Sequence, residues 1–161
     1  MDPASTAITI FQAQTPDQIA QARELFLEYA QSLGFSLCFQ NFDQELAGLP
    51  GDYAPPDGRL FLVEHDGKLA GCGAFHRFDA TSCEMKRLYV RSDFRGRGLG
   101  KTLAQRILFE AANIGFKRIL LDTIVGKMDD AIALYRRLGF REIEPYRPNP
   151  IAGALYMEME L

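Results

Sequence analysis

The order of apolar and polar positions divides the chain into helices and strands. From Thr15-Pro16-Asp17 to about Leu33 the pattern predicts a helix, with proline near its start and Gly34 to break it. Leu99, Leu103, Ile107, Leu108 and Ala111 recur at helical spacing and predict another, ended by a turn at Asn113–Gly115. Met128–Phe140 reads as a third, stopped by Gly139, and Asn41–Leu49 as a short one. Strand patterns lie between them. Ala7–Ala13 alternates weakly, and Leu60–Glu64 and Leu69–Phe75 form a hairpin about His65–Lys68. In Cys83–Val90, alternation puts Glu84, Lys86, Leu88 and Val90 on one side and Met85, Arg87, Tyr89 and Arg91 on the other. Arg118–Ile124 is a short apolar run, the mark of a buried strand. Arg141–Ile143 and Ala154–Glu160 read as closing strands, the second able to pair within the chain or across a homodimer. Leu49–Gly58, rich in proline and glycine, reads as a rigid loop.

Composition narrows the class. A chain of 161 residues is one domain with room for a core, and 47% apolar content is ordinary for a soluble protein. A net charge of −3 gives no electrostatic case for nucleic acid or an anionic membrane, and no apolar run approaches a membrane span. Residues 1–7 lack the features of a signal peptide and read as a flexible N-terminus before a single domain over 8–161. Cys38, Cys72 and Cys83 are odd in number and include no C-x-x-C, so neither a disulfide frame nor a zinc site is indicated. A cytoplasmic protein with reduced thiols is expected. His65 and His76 make no metal site; turn and surface positions are expected for them.

The most informative stretch is Tyr89–Thr102, where an apolar strand runs through Gly96, Gly98 and Gly100 into a helix. Glycines let backbone N–H groups turn inward, and the helix start adds unpaired N–H groups, so the bend suits a diphosphate. The dinucleotide pattern G-x-G-x-x-G fails because its third glycine falls on Lys101. The triphosphate pattern G-x-x-x-x-G-K-[ST] matches Gly100-Lys101-Thr102, and Ile119-Leu120-Leu121-Asp122 imitates a magnesium-binding strand, but Arg95 stands where its first glycine must be. The pattern R-x-x-G-x-G is met by Arg95, Gly98 and Gly100.

That last pattern resembles the acyl-coenzyme A loop of the GCN5-related N-acetyltransferase (GNAT) superfamily. Met128–Phe140 is similar to the family's N-x-x-A-x-x-L-Y-x-x-x-G-F segment, with Ala131, Leu134, Tyr135, Gly139 and Phe140 in register and Met128 replacing the usual asparagine. The resemblance covers roughly residues 8 to 161. It implies an α/β GNAT fold, a mixed central sheet flanked by helices with splayed central strands. It also implies acetyl-CoA as co-substrate, no metal, and direct attack by an amine in a ternary complex. Carried over by position, the cofactor would be held by Leu88, Tyr89, Val90, Arg95, Gly96, Arg97, Gly98, Leu99, Gly100, Lys101, Met128, Ala131 and Tyr135, with the amides of Arg95–Gly100 on the diphosphate. Val90 and Arg91 would pair their backbone with the pantetheine arm.

Acetyl transfer needs an amine without its proton, a donor for the oxyanion and a proton for the departing thiolate. Glu84, on the strand before the loop, is the candidate base, its pKa raised by a partly dry cleft; a surface or salt-bridged glutamate is the competing reading. Tyr135 is the candidate acid at the coenzyme sulfur, against a core tyrosine bonded to backbone. A backbone N–H near Leu88–Val90 would serve the oxyanion. For Arg97 and Lys101, solvated surface competes with phosphate contact.

In this family the first helices and the late loop shape the acceptor pocket. Here these supply Phe26, Tyr29, Phe35, the Pro50–Pro56 loop and the Pro145–Pro150 loop, prolines giving pre-shaped walls. Tyr29, Arg87 and Arg147 are candidate substrate-binding residues; Arg87 and Arg147, with His76, are candidates to bind an acidic acceptor, since arginine forks a carboxylate, and a solvated arginine or histidine is the alternative. A small-molecule amine, such as an amino acid or related metabolite, is the leading acceptor, and a protein N-terminus or lysine the second. A coenzyme A-binding sensor without transferase activity stays open beside them.

Overall fold

The computed structural model describes residues 7–34, 36–37 and 41–161. The expectations placed on residues 1–6, Phe35 and Cys38 lie outside the described residues. The elements run β1 (Ile8–Gln12), α1 (Pro16–Leu33), α2 (Phe42–Gly48), β2 (Arg59–His65), β3 (Lys68–Arg77), β4 (Ser82–Val90), α3 (Leu99–Ile114), β5 (Arg118–Ile124), α4 (Asp129–Leu138), β6 (Arg141–Ile143) and β7 (Ala154–Glu160). Short 3-10 turns occupy Gly51–Tyr53 and Ser92–Phe94.

Local chemistry sets the ends of these elements. The Gln18 amide donates to the Thr15 hydroxyl at 3.2 Å while the Gln18 side chain accepts from the Thr15 amide at 3.1 Å, a reciprocal cap that starts α1. In α4, Asp129 and Asp130 open the helix and Arg136 and Arg137 close it, each charge at the dipole end it suits.

The strands form one seven-stranded sheet in the order β1-β2-β3-β4-β5-β7-β6. All neighbours are antiparallel except β4 and β5, which α3 connects as a parallel pair. β7 is hydrogen-bonded to β5 on one edge and β6 on the other, so both its edges are used within the chain. Alternation along β2 feeds two cores. Phe61 and Val63 join Phe75, Met85, Leu103, Ile107 and Leu121 beneath α3 and α4. Leu60 and Leu62 join Leu25, Phe26, Cys72 and Ala74 beneath α1 and α2.

Two irregularities in β4 make the site. β4 and β5 pair only at Ser82↔Arg118, Cys83↔Ile119 and Glu84↔Leu120, and then diverge. Against β3, the register passes from Ala74↔Lys86 to Cys72↔Tyr89, so β4 carries one extra residue there. Arg87, at φ +62°, sits in this bulge. An extra residue reverses the side-chain order beyond it. The alternation expected from sequence therefore holds only through Lys86. Leu88 and Val90 turn to the α3/α4 core with Met85, while Arg87 and Tyr89 join the α1/α2 face.

Candidate active site

The glycine bend is built to present amides. Gly96 and Gly98 lie at φ +79° and +78°, a region that residues with a Cβ avoid, and α3 starts immediately afterwards. The Arg95 amide donates to the Ser92 carbonyl at 3.3 Å, so it is spent, contrary to the expectation that it helps hold a diphosphate. The first amide of α3 to bond back is that of Thr102, to the Gly98 carbonyl at 3.0 Å. Between these, the amides of Gly96 through Lys101 donate to no protein acceptor among the described residues.

All of these residues except Arg97 line a cleft of about 630 Å³. Leu88, Tyr89, Val90, Arg95, Gly96, Gly98, Leu99, Gly100, Lys101, Met128 and Ala131, all candidates for cofactor contact from sequence, line it. Arg97 is exposed and stands off the lining. The Arg91 amide is taken by the Ala70 carbonyl at 2.8 Å, which removes it from pairing with a pantetheine arm. Met128 starts α4 without a side-chain cap and accepts at sulfur from the Thr123 hydroxyl at 3.4 Å.

Gly100 is helical, and a Cβ there would meet only Leu134 and Val90 methyl groups at 3.8 and 3.9 Å. The fold itself therefore does not require glycine at 100; close approach of a ligand to the backbone would. Gly100→Ala is expected to weaken acetyl-CoA binding about tenfold or more. Stability should hold or rise by up to about 1 kcal/mol, the helical cost of glycine over alanine. Calorimetric titration beside thermal melting checks both.

Where β4 and β5 part, a small cavity of about 40 Å³ passes between them. It shares Tyr29, Leu33, Leu88 and Met128 with the cleft and adds Lys86, Asp122, Tyr135 and Asn149. Its lining comes from both faces of the sheet, so it joins the α3/α4 side to the α1/α2 side. The Tyr135 ring is buried against Phe140, and its hydroxyl has no hydrogen-bond partner among the described residues. Burial, with Tyr29 and Asp122 adding to it, pushes its pKa up, so the phenol keeps its proton. Asp122 is half-buried and accepts only one hydrogen bond, from the Asn149 side chain at 3.3 Å, with no ion pair among the described residues. Burial pushes the Tyr29 hydroxyl up to about 12.

Comparison with known proteins decides the family. The family model of the acetyltransferase (GNAT) family matches residues 19–140. This chain belongs to that family. It is an N-acetyltransferase, an enzyme of the acyl-transfer class, and acetyl-CoA is the donor its family uses. An uncharacterized N-acetyltransferase of Schizosaccharomyces pombe is 40% identical over 157 residues, covering 96% of this chain and 95% of its own. The N-acetylaspartate synthetase of Danio rerio is 34% identical over 118 residues, 72% of this chain and 42% of its own. The structure of yncA from Salmonella typhimurium with its cofactor acetyl-CoA matches in fold with a TM-score of 0.70 at 20% identity, over 96% of this chain and 94% of that one.

In this acetyltransferase the expected polar residues fall into distinct settings. Glu84 is fully buried on β4. It accepts from the Tyr146 hydroxyl at 2.6 Å, faces His76 Nε2 at 2.9 Å and pairs with Arg147. Burial alone would raise its pKa, as expected from sequence. The His76 hydrogen bond, the charges of Lys86 and Arg147 and the Tyr146 hydroxyl outweigh burial and bring it down to about 2. Glu84 is thus ionised and saturated, a poor receiver of a proton.

Its stability consequence has a definite sign. Relative to an ordinary 4.5, the depressed folded value stabilises the fold fully above about pH 4.5, and the gain is lost as pH falls toward 2. A shift of this size corresponds to about 3 kcal/mol. Urea midpoints measured from pH 6 down to 2.5 should fall steeply in the native chain and less steeply in Glu84→Gln.

Arg87 does not face an acceptor with open hands. Its Nε and Nη2 fork Glu45 at 2.9 and 3.0 Å, and its guanidinium stacks on Phe42 at 5.1 Å. The sequence could not place this fork, because the bulge that aims Arg87 at α2 has no local signature. Arg147 stacks between Tyr146 at 5.2 Å and Phe78 at 6.0 Å and is partly exposed, with only one nitrogen on Glu84. Lys86 is buried; burial and Arg87 push its pKa down, while Glu84 and Asp122 pull the other way. Sequence reasoning passed over Asp122 as a site residue and placed Tyr146 only within the Pro145–Pro150 loop of the acceptor pocket. The signal for Asp122 was a single acid inside the apolar run Arg118–Ile124.

Among the described residues, no helix is long and apolar enough to cross a membrane.

Proposed function

We propose that this enzyme moves the acetyl group of acetyl-CoA to the primary amine of a small acceptor carrying a carboxylate, an amino acid or related metabolite, with both substrates bound together. The observation that carries the reading is the junction of two spaces. Unspent amides border a long cleft, and that cleft opens through the β4–β5 gap onto Tyr135 and Asp122. Bound in the cleft, acetyl-CoA supplies an acetyl group activated as a thioester.

The chain's own residues do the rest. The amides from Gly96 to Lys101, at the positive end of α3, hold the diphosphate, with Arg95 and Lys101 adding charge. Leu88, Tyr89 and Val90 offer the free edge of β4 to the pantetheine arm, beyond the point where β5 leaves it. Asp122, the lightly bonded carboxylate in the gap, receives the acceptor ammonium and takes its proton directly or through water. The Tyr135 hydroxyl, protonated and uncommitted, gives a proton to the departing sulfur. Arg147, with donors left over from Glu84, takes the acceptor carboxylate, and Tyr29 walls the gap. Glu84 passes from candidate base to structural anchor in this reading.

The name of the Danio rerio relative, an N-acetylaspartate synthetase, supports an N-acetylated amino acid as the type of product. We place the enzyme in the cytoplasm, where buried Cys72 and Cys83 stay reduced, as one domain over 8–161. A thiol-release assay with acetyl-CoA and a panel of amines tests the reading. Amino acids and other carboxylate-bearing amines should turn over faster than peptides. Faster turnover of peptide N-termini or lysines would contradict the small acceptor. Tight acetyl-CoA binding with no turnover of any amine would make the chain a coenzyme A-binding module.

A further inference from the structure

Arg87 is buried, and Glu45 on α2 holds it with both carboxylate oxygens, at 2.9 Å to Nε and 3.0 Å to Nη2. Phe42, one helical turn earlier, takes the guanidinium on its ring face. α2 is itself tied to α1, where Arg23 Nε donates to the Leu46 carbonyl at 2.9 Å. Neither Glu45 nor Phe42 lines the cleft or the gap.

What the fork holds is backbone. Arg87 carries φ +62°, a region that a residue with a long side chain seldom enters. Its carbonyl accepts from the Cys72 thiol at 3.3 Å. On β3, Gly73 faces Arg87 and Leu88 together. A Cβ on Gly73 would meet Ile107 at 2.9 Å and Leu88 at 3.2 Å, so glycine leaves room there for the Leu88 side chain.

This backbone decides which way one amide points. The Arg91 amide bonds to Ala70 beside β4, and alternation gives the Tyr89 amide the same direction and those of Leu88 and Val90 the other. Leu88 therefore presents its amide to the edge that β5 leaves after Glu84↔Leu120, and the residue lines both the gap and the cleft. Without the extra residue, Leu88 would stand opposite Cys72 with its amide spent on β3.

We infer that Glu45 is a positioning residue for the transfer: by fixing the Arg87 side chain it holds the left-handed conformation in β4, and so aims the Leu88 amide at the thioester carbonyl oxygen. As the amine nitrogen bonds to the carbonyl carbon, the C=O π pair moves onto oxygen, and it returns when the C–S bond breaks. The Leu88 N–H meets that charge without giving up its proton. That role rests on the proposed transferase reading; the aim of the amide does not.

Backbone NMR of the full chain, labelled with carbon-13 and nitrogen-15, reads the amide directly. CoA and acetyl-CoA differ only in the acetyl group, so the amide that meets the thioester carbonyl shifts between the two saturated complexes. Leu88 should show the largest such difference on β4, and Arg87 should show the Cα and Cβ shifts of a left-handed residue. In Glu45→Gln, which keeps one acceptor for Arg87 but loses the fork, the Leu88 difference should shrink while acetyl-CoA affinity holds. With the best acceptor, kcat should fall about tenfold or more and the acceptor KM should stay within about twofold. Glycine enters the left-handed region unaided, so in an Arg87→Gly background Glu45→Gln should change neither reading further. An ion pair that serves stability alone would lower the melting temperature and leave both readings at their native values, which overturns the inference. So does a native Leu88 amide indifferent to the acetyl group, or native Arg87 shifts of an extended strand; neither outcome needs a variant to fold. A raised acceptor KM with kcat unchanged in Glu45→Gln overturns it too. Left-handed Arg87 shifts that Glu45→Gln abolishes, in a chain that binds neither CoA nor acetyl-CoA, would keep Glu45 as the residue that holds the bulge and contradict the transferase reading.

Discussion

Replacing Asp122 with asparagine should lower kcat with the best acceptor by about 100-fold or more, the range of a lost general base. The Asn149 side chain can still donate to the carbonyl oxygen of the introduced amide, so the shape of the gap is kept. Acetyl-CoA affinity should change less than about twofold, because the cleft amides that hold it lie elsewhere. Glu84→Gln is the informative comparison. Glu84 is already spent on His76, Tyr146 and Arg147, so its loss should raise the acceptor KM more than it lowers kcat. Steady-state kinetics in both substrates separate the two carboxylates. A collapse of kcat in Glu84→Gln with little change in Asp122→Asn would reverse the assignment.

The second large effect belongs to Tyr135. Tyr135→Phe should cost about 100-fold or more in kcat and leave acetyl-CoA binding intact, since the change removes one proton donor and no packing volume. Its hydroxyl has no protein partner among the described residues, so no buried group is left unpaired, and stability should stay within about 1 kcal/mol of the native chain. A structural tyrosine would behave oppositely, losing stability and keeping turnover. Thermal melts alongside kcat distinguish them.

What the sequence could reveal depended on how far the cause lay along the chain. The glycine bend, the helix start at Thr15–Asp17, the stop at Gly139 and the strand Arg118–Ile124 are local, written in neighbouring residues, and the structure has them where the pattern put them. The bulge at Arg87 comes from pairing with β3, some fifteen positions away, and nothing in Cys83–Val90 announces it. That one residue moved Leu88 and Val90 to the face opposite the expected one and gave the Arg87 fork to Glu45. The charge state of Glu84 is set by Tyr146 and Arg147, more than sixty positions later, which the loop folds back onto the sheet. Asp122 stood out only as an imitation of another enzyme's strand, because its neighbours in space, Asn149 and Tyr135, lie beyond it in the chain.

The grip of the Gly96–Lys101 amides on the diphosphate is what every later step of the proposed transfer needs. Titration of acetyl-CoA into the nitrogen-15-labelled chain, followed by backbone amide NMR, measures that grip residue by residue. The amides of Gly96, Gly98, Leu99, Gly100 and Lys101 should show the largest shifts, saturating together with those of Leu88 and Val90. Saturable binding that leaves these amides unmoved, or no binding at all, would contradict it.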